Sequence, residues 1–346
     1  MGTKDSAPSR RNIFKAAGLA VGAAVAADAL GLGAAEGQPG IGMHESHFWT
    51  AEYWAKKGSV DLYLYRKRTK APTKGERPLP VLFLVHGSSI SARPSYDLTV
   101  PGAGEYSVMN VFAHLGYDVW TMDHEGYGHS SQTAGNSDIA SGVEDLKAGT
   151  DLVMKETGQS KMHFFGESSG ALRVGAFAMA EPARCDRLGM SALTYTGKGS
   201  PTLTKRAEQL EYYRTHNRRP RGRDMIESIF TRDKAGTSDP RVAGALADAE
   251  LKFGDTIPTG TYLDMTANLP VIDPTKIQSP VVILRGQYDG IASEEDVLDF
   301  FQKLPNPDRQ VSILPGVAHS VAFSINRQQF WHVLHAFLTM PPRLDA

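Results

Sequence analysis

The 346-residue sequence predicts an α/β fold: a mostly parallel sheet flanked by helices, with an inserted helical cap. Three observations predict it. Compact apolar runs at Val81–Val85 and 162–165 show little alternation, as strands covered on both faces do. Helical patterns separate such runs, and strand–helix–strand alternation implies parallel pairing through crossovers. The alternation lapses after Tyr195 and resumes at Val281, which marks an insertion. A chain of this length can bury one large core and still carry that insertion.

In chain order, residues 47–55 and 60–66 cluster or alternate apolar side chains in strand fashion. Residues 67–79 hold Pro72, Gly75 and Pro78 among lysines and arginines and read as an exposed turn. Val81–Val85 is the clearest buried strand and runs into His86-Gly87-Ser88-Ser89. Residues 105–115 place Val108, Val111, Phe112 and Leu115 at helical spacing, closed by Gly116. A strand over 117–122 leads into the loop Asp123-His124-Glu125-Gly126-Tyr127-Gly128-His129-Ser130. A helix over Ile139–Thr157 stops at Gly158, a strand follows at 162–165, then a helix of good helix formers at 171–180. Residues 188–195 read as a strand; 200–276 read as polar and helical, without clear strands. Strand 281–285, helix 293–304, strand 310–314 and helix 326–338 complete the pattern.

Residues 1–35 read as an export signal. Ser9-Arg10-Arg11-Asn12-Ile13-Phe14-Lys15 resembles the twin-arginine signal, and a weakly hydrophobic Ala/Gly-rich run follows at 16–27. Ala27-Asp28-Ala29 and Gly33-Ala34-Ala35 offer small-residue cleavage sites. The run is too short to span a bilayer, so no stable membrane span is expected in the mature chain. The expectation is a periplasmic or secreted protein, handled by the twin-arginine export machinery. Residues 36–45 form a Gly-rich linker; the core is expected over 46–199 and 277–346, around a cap at 200–276. A net charge of −1 provides no global field for nucleic acid. The one cysteine, Cys185, excludes an intrachain disulfide and a cysteine-based zinc site and reads as a structural thiol.

Gly166-Glu167-Ser168-Ser169-Gly170 fits G-x-S-x-G between a predicted strand and a predicted helix. There the serine occupies a strained turn, and the glycines remove side chains that would collide. Four segments together resemble the α/β-hydrolase superfamily over residues 50–199 and 277–340. They are the strand ending in His86-Gly87, the Gly126–Ser130 loop, the elbow, and the pair Gly286-Gln287-Tyr288-Asp289 and Gly316-Val317-Ala318-His319. Such a resemblance speaks to fold and type of mechanism, not to substrate.

A serine hydroxyl needs a base to take its proton and an acid to orient that base. The resemblance implies the order serine, acid, histidine, supplied here by Ser168, Asp289 and His319. Each follows a predicted strand, so one edge of the sheet can collect them. No carboxylate follows the preceding strand, in Thr194-Tyr195-Thr196-Gly197-Lys198, which favours Asp289; Glu294, Glu295 and Asp296 suit a helix start. The oxyanion hole needs two amides: that of Ser169 and, by resemblance, that of Ser88. His86 reads as a loop-ordering residue.

No cofactor is implied, and His124, Glu125 and His129 match a turn that such folds hold without metal. The arginine-rich stretch 218–223 reads as a solvated cap surface. Leu210, Tyr212, Tyr213, Ile229 and Phe230 read as cap core. The implied function is hydrolysis of a carboxylic ester of a small or medium, largely apolar substrate through an acyl-enzyme. Cleavage of a lactone, amide, carbamate or carbon–carbon bond by the same residues, acyl transfer, and ligand binding without turnover remain alternatives.

Overall fold

The computed structural model describes residues 1–2, 47–341 and 344, so the expected signal and linker, Met1 and Gly2 aside, lie outside the described residues. Strands β1 (Trp49–Lys57) and β2 (Val60–Arg68) form an antiparallel hairpin turned at Gly58. β2 runs past the expected end at Arg66, and the reading of Lys67 and Arg68 as exposed turn is corrected. Both are buried because acids meet them: Lys67 pairs with Asp97 at 2.5 Å and Arg68 with Glu76 at 2.7 Å.

Then come β3 (Val81–Val85), a short helix α1 (Ala92–Tyr96) not foreseen, and α2 (Val108–His114). α2 starts three residues later than its apolar spacing suggests because Ser107 caps it, accepting from Asn110 N at 3.0 Å. β4 (Asp118–Met122), α3 (Ile139–Thr157), β5 (Met162–Glu167), α4 (Ser169–Ala180) and β6 (Cys185–Ser191) follow. Asp138 caps α3 through Ser141 N at 2.7 Å, and Gly158, at φ 71°, closes it. β6 lies earlier than the expected 188–195: Cys185 pairs with Met162, and Ala192, at φ 51°, turns the chain out of the sheet.

The insertion contains α5 (Pro201–Ala207), α6 (Leu210–Thr215), β7 (Arg218–Pro220), α7 (Arg223–Ser228), α8 (Pro240–Glu250), β8 (Thr256–Pro258) and α9 (Gly260–Leu263). The expectation of no strand here is corrected, since β7 and β8 pair antiparallel. Three-residue strands each ending in proline are too short for alternation to register. The chain ends with β9 (Val281–Gly286), α10 (Glu294–Lys303), β10 (Arg309–Leu314) and α11 (Arg327–Leu338).

Among the described residues the large sheet has the order β1-β2-β4-β3-β5-β6-β9-β10. β2 runs against both neighbours, and β4, β3, β5, β6, β9 and β10 run parallel. Adjacent residues divide between two apolar layers. Phe83, Phe164 and Ile283 pack with α3, α4 and α10 residues, while Leu82, Phe165 and Val282 pack with α2 and α11 residues. Both faces are therefore apolar, which is why these strands show no alternation. A further cluster joins Ile226, Val242 and Leu246 of the insertion to Ile90, Tyr106 and Phe323 of the body. Among the described residues no helix is long and apolar enough to cross a membrane.

Candidate active site

Parallel pairing sets the carboxyl ends of β3, β5, β9 and β10 on one edge, with Val85 opposite Gly166 and Gly286 opposite Leu314. The turns beyond those ends are laced together. Ser168 N donates to Ser191 O at 2.9 Å, Gln287 N to Leu314 O at 2.9 Å and Tyr288 N to Val317 O at 2.9 Å. Residues distant in sequence thus reach one rim.

Ser168 begins α4 at φ 60°, ψ −125°, a backbone conformation that L-residues hold only under constraint. The constraint is close packing: a Cβ on Gly166 would strike the Gly170 carbonyl, and one on Gly170 would strike the Val85 carbonyl. Ser168 and His319 line one cavity of about 740 Å³, and both are buried in the fold. Asp289 lies behind His319, with Nδ1 of the histidine donating to its Oδ1 at 2.8 Å. The same oxygen accepts from Ile291 N at 2.8 Å and Ala292 N at 3.1 Å. Burial opposes ionisation of Asp289, but His319 and the two amides outweigh it and hold the carboxyl below its ordinary range.

Ser88 also lines the cavity, and its Oγ donates to Ser169 Oγ at 2.8 Å, joining the turn after β3 to the first turn of α4. Tyr127 OH donates to Ser88 O at 2.8 Å and fixes that turn from behind. The first amides of a helix have no intrahelical acceptor, so the Ser169 end of α4 presents unpaired donors beside Ser168. His86 is buried, its Nδ1 bonded to Gly87 O at 2.8 Å while Nε2 accepts from His124 N at 3.1 Å. Both nitrogens order the loop, and burial drives the imidazole pKa well down. Cys185 is buried, and burial pushes its thiol up to about 12.

The residues considered as metal-ligand types near β4 are engaged with protein groups. His124 Nδ1 meets Asp145 Oδ2 at 3.1 Å, Glu125 pairs with Lys57 at 2.6 Å, and the His129 ring packs on Tyr63 and Phe253. Asp296 does more than start α10. It accepts from Tyr195 N at 2.7 Å and Thr196 N at 2.9 Å, holding the loop after β6.

Three features of the site carry no local sequence signal. Glu167, beside the serine, accepts from Val321 N at 3.2 Å and so ties the elbow to the segment after His319. Burial raises its carboxyl to about 7, against the pull of His319. Asp233 comes from the insertion, and ligand-type atoms of Asp233, Asp289 and His319 lie within 4.8 Å of one another. Asp289 Oδ1 is bonded to His319, and Asp233 is paired with Arg232 at 2.7 Å. Finally, Arg206, Arg219 and Tyr262 line the cavity.

For Arg218, Arg219 and Arg221 of the stretch 218–223 the expectation of a solvated surface is corrected. Arg221 is buried against Glu250, Arg218 donates to Thr256 O at 2.9 Å and Gly126 O at 3.2 Å, and Arg219 faces the cavity. These guanidiniums answer carbonyls and a carboxylate that only the fold brings near. Of the four arginines in the stretch Arg223 alone is exposed, paired with Glu227 at 3.2 Å and with Asp248. The expected cap-core set divides: Phe230 is buried among apolar residues, whereas Tyr213 and Ile229 also line the cavity.

A family model described as serine aminopeptidase, S33 (Hydrolase_4) matches residues 100–325. The chain is 31% identical over 103 residues to lipase lipl-3 of Caenorhabditis elegans, covering 27% of this chain and 24% of that protein. It therefore spans about a quarter of the length of that curated relative, 24%. Similar solved structures include a carboxylesterase from Bacillus subtilis, at 18% identity and TM-score 0.59, covering 85% of this chain and 93% of that one. Another is the 2-hydroxy-6-oxo-6-phenylhexa-2,4-dienoate hydrolase of Rhodococcus sp. strain RHA1, at 17% identity and TM-score 0.59, covering 85% and 100%. An α/β-hydrolase fold protein from Chitinophaga pinensis matches at 16% identity and TM-score 0.60, covering 84% and 98%. Likeness at such identities concerns the fold.

Proposed function

This chain belongs to the serine aminopeptidase S33 family of hydrolases and has the α/β-hydrolase fold, and on that premise we propose that it hydrolyses carboxylic esters through an acyl-enzyme. Ser168 attacks the acyl carbon while His319 takes its proton. The amides of Ser88 and Ser169 receive the oxyanion. His319 returns the proton to the leaving alcohol, and water then releases the acid. Asp289 holds the tautomer with Nδ1–H and stabilises the imidazolium. The observation that carries this reading is the constrained Ser168 backbone on the same cavity as a His319 bonded to Asp289 at 2.8 Å.

The cavity volume of about 740 Å³ suits a small or medium substrate. Ile90, Met225, Ile229, Leu246 and Phe323 offer its wall an apolar side. The residues 200–276 act as a cap, lending part of that wall. An aminopeptidase reading is disfavoured, because a free substrate ammonium would meet Lys205, Arg206 and Arg219 in the cavity.

A panel of short-chain p-nitrophenyl esters tests the proposal. Ser168→Ala is expected to lower turnover on the order of 10⁴-fold or more and to abolish labelling by a fluorophosphonate. Undiminished hydrolysis by that variant sinks the reading, as does labelling without steady-state product release, which marks a binding protein.

We also propose export by the twin-arginine route, motivated by Arg10-Arg11 ahead of an Ala/Gly-rich run. Replacing both arginines by lysine should retain the protein inside the cell, as read by fractionation; unchanged export refutes the route.

A further inference from the structure

We propose that Arg206 and Arg219 form an oxyanion subsite in the Ser168 cavity that selects ester substrates carrying a free carboxylate. The bond cut rests on the function proposed above; the anion site itself does not.

The guanidiniums share one ring. Arg206 Cζ lies 5.0 Å and Arg219 Cζ 4.8 Å from the centroid of Tyr262. The tyrosine is itself pinned, its OH 2.6 Å from Ser89 Oγ on the turn after β3. Stacking on a fixed ring holds the planar forks in place before a ligand arrives.

These arginines differ from their neighbours in having no acid. In the same insertion Arg214, Arg221, Arg223, Arg232 and Arg241 all have carboxylate partners, and Arg218 donates to carbonyls. Arg206 and Arg219, among the described residues, form no ion pair and no side-chain hydrogen bond with protein; their contacts are with the ring. Both are half-buried and line the cavity. Like charges held together at a half-buried site are costly unless a counter-charge joins them. Burial, Arg232 and Arg219 all push the Arg206 guanidinium pKa down, with Tyr262 and Tyr213 opposing.

The cavity offers no internal substitute. Its carboxylates are Asp233, bound bidentately by Arg232 at 2.7 and 2.8 Å, and Glu167, tied to Val321 at the elbow. Lys205 adds a further positive charge to the lining. An arginine fork matches a carboxylate in two parallel hydrogen bonds, so an acid group on the substrate would complete the site and orient the ester toward Ser168.

Steady-state kinetics on two matched pairs test this. One is mono-4-nitrophenyl glutarate against its methyl ester, with the acid on the acyl side. The other is 3-carboxyphenyl butyrate against its methyl ester, with the acid on the alcohol side. In at least one pair kcat/KM should favour the acid by about tenfold or more. Arg206→Gln and Arg219→Gln, which keep a planar group over Tyr262, should each cut that ratio about tenfold. Arg223→Gln, in an exposed pair, should leave it unchanged. Equal rates within both pairs for the wild type overturn the proposal, and so does a ratio that neither glutamine variant moves. Calorimetry of glutarate against monomethyl glutarate on the Ser168→Ala protein reads the subsite without turnover. Preference for glutarate, lost in the glutamine variants, supports the subsite even if no ester is cleaved; equal affinity refutes it.

Discussion

Ser168 holds φ 60° where a side chain is disfavoured, a strain of about 1–3 kcal/mol that the packed glycines around it sustain. The neighbouring Glu167 adds a titration. Its carboxyl sits at about 7, above the ordinary 4.5, because burial penalises the charge more than His319 favours it. A raised acid binds more protons folded than unfolded, so its contribution to stability is full below about 4.5 and is lost as pH rises through about 7. Glu167→Gln should remove that loss: the variant gains on wild type in thermal unfolding as pH rises from about 4.5 to about 7, the gain levels off above that, and the two converge below 4.5. In activity the sign is opposite. On the proposed mechanism, ionised Glu167 would stabilise the imidazolium forming on His319, so wild-type kcat/KM should rise several-fold through about pH 7. Glu167→Gln should lack that gain, its kcat/KM falling below wild type above about pH 7. Coincident melting curves and pH–rate profiles for the two proteins would refute both statements.

At the scale of elements, the join between insertion and body is polar where it meets the turn after β3. Glu250, at the end of α8, accepts from Ser91 N at 3.1 Å and Ser91 Oγ at 2.7 Å, while Arg221, after β7, donates to Glu250 and to Ser89 O at 3.2 Å. Burial raises the Glu250 carboxyl despite Arg221. Removing one partner strands the other, so Glu250→Ala should cost about 3–5 kcal/mol in chemical denaturation. Glu250→Gln, which still accepts from Ser91, should cost less. The alanine variant should also lower kcat on simple esters, because the Ser88–Ser91 turn loses its anchor. A loss in the alanine variant no larger than that of an exposed pair, about 1 kcal/mol, would show that the junction is not held this way.

For the whole molecule, residues 47–341 contain their own core and every residue assigned to the chemistry. A chain beginning at His47 should therefore unfold within about 2 °C of the full chain, a shift below 1 kcal/mol, and keep the proposed ester turnover. A collapse of either measure refutes the independence of this unit. The alternating pattern was legible because a sheet apolar on both faces leaves compact runs at Val81–Val85 and Val281–Gly286. The elbow was legible because steric crowding at Ser168 demands small residues at fixed offsets. Asp233, Arg206, Arg219 and the β7–β8 pair were not, since each owes its place to partners far along the chain. The sequence by itself determined most strands and helices of the body, through local periodicity, and, by resemblance to a family pattern, the candidates Ser168, Asp289 and His319. Only the tertiary structure decided that Arg221 is buried and Arg219 faces the cavity, that Asp296 holds the loop after β6, and that two arginines without acids face Ser168's cavity. The reason is that charge pairing acts through space, and no period in the chain records which carboxylate a guanidinium will meet.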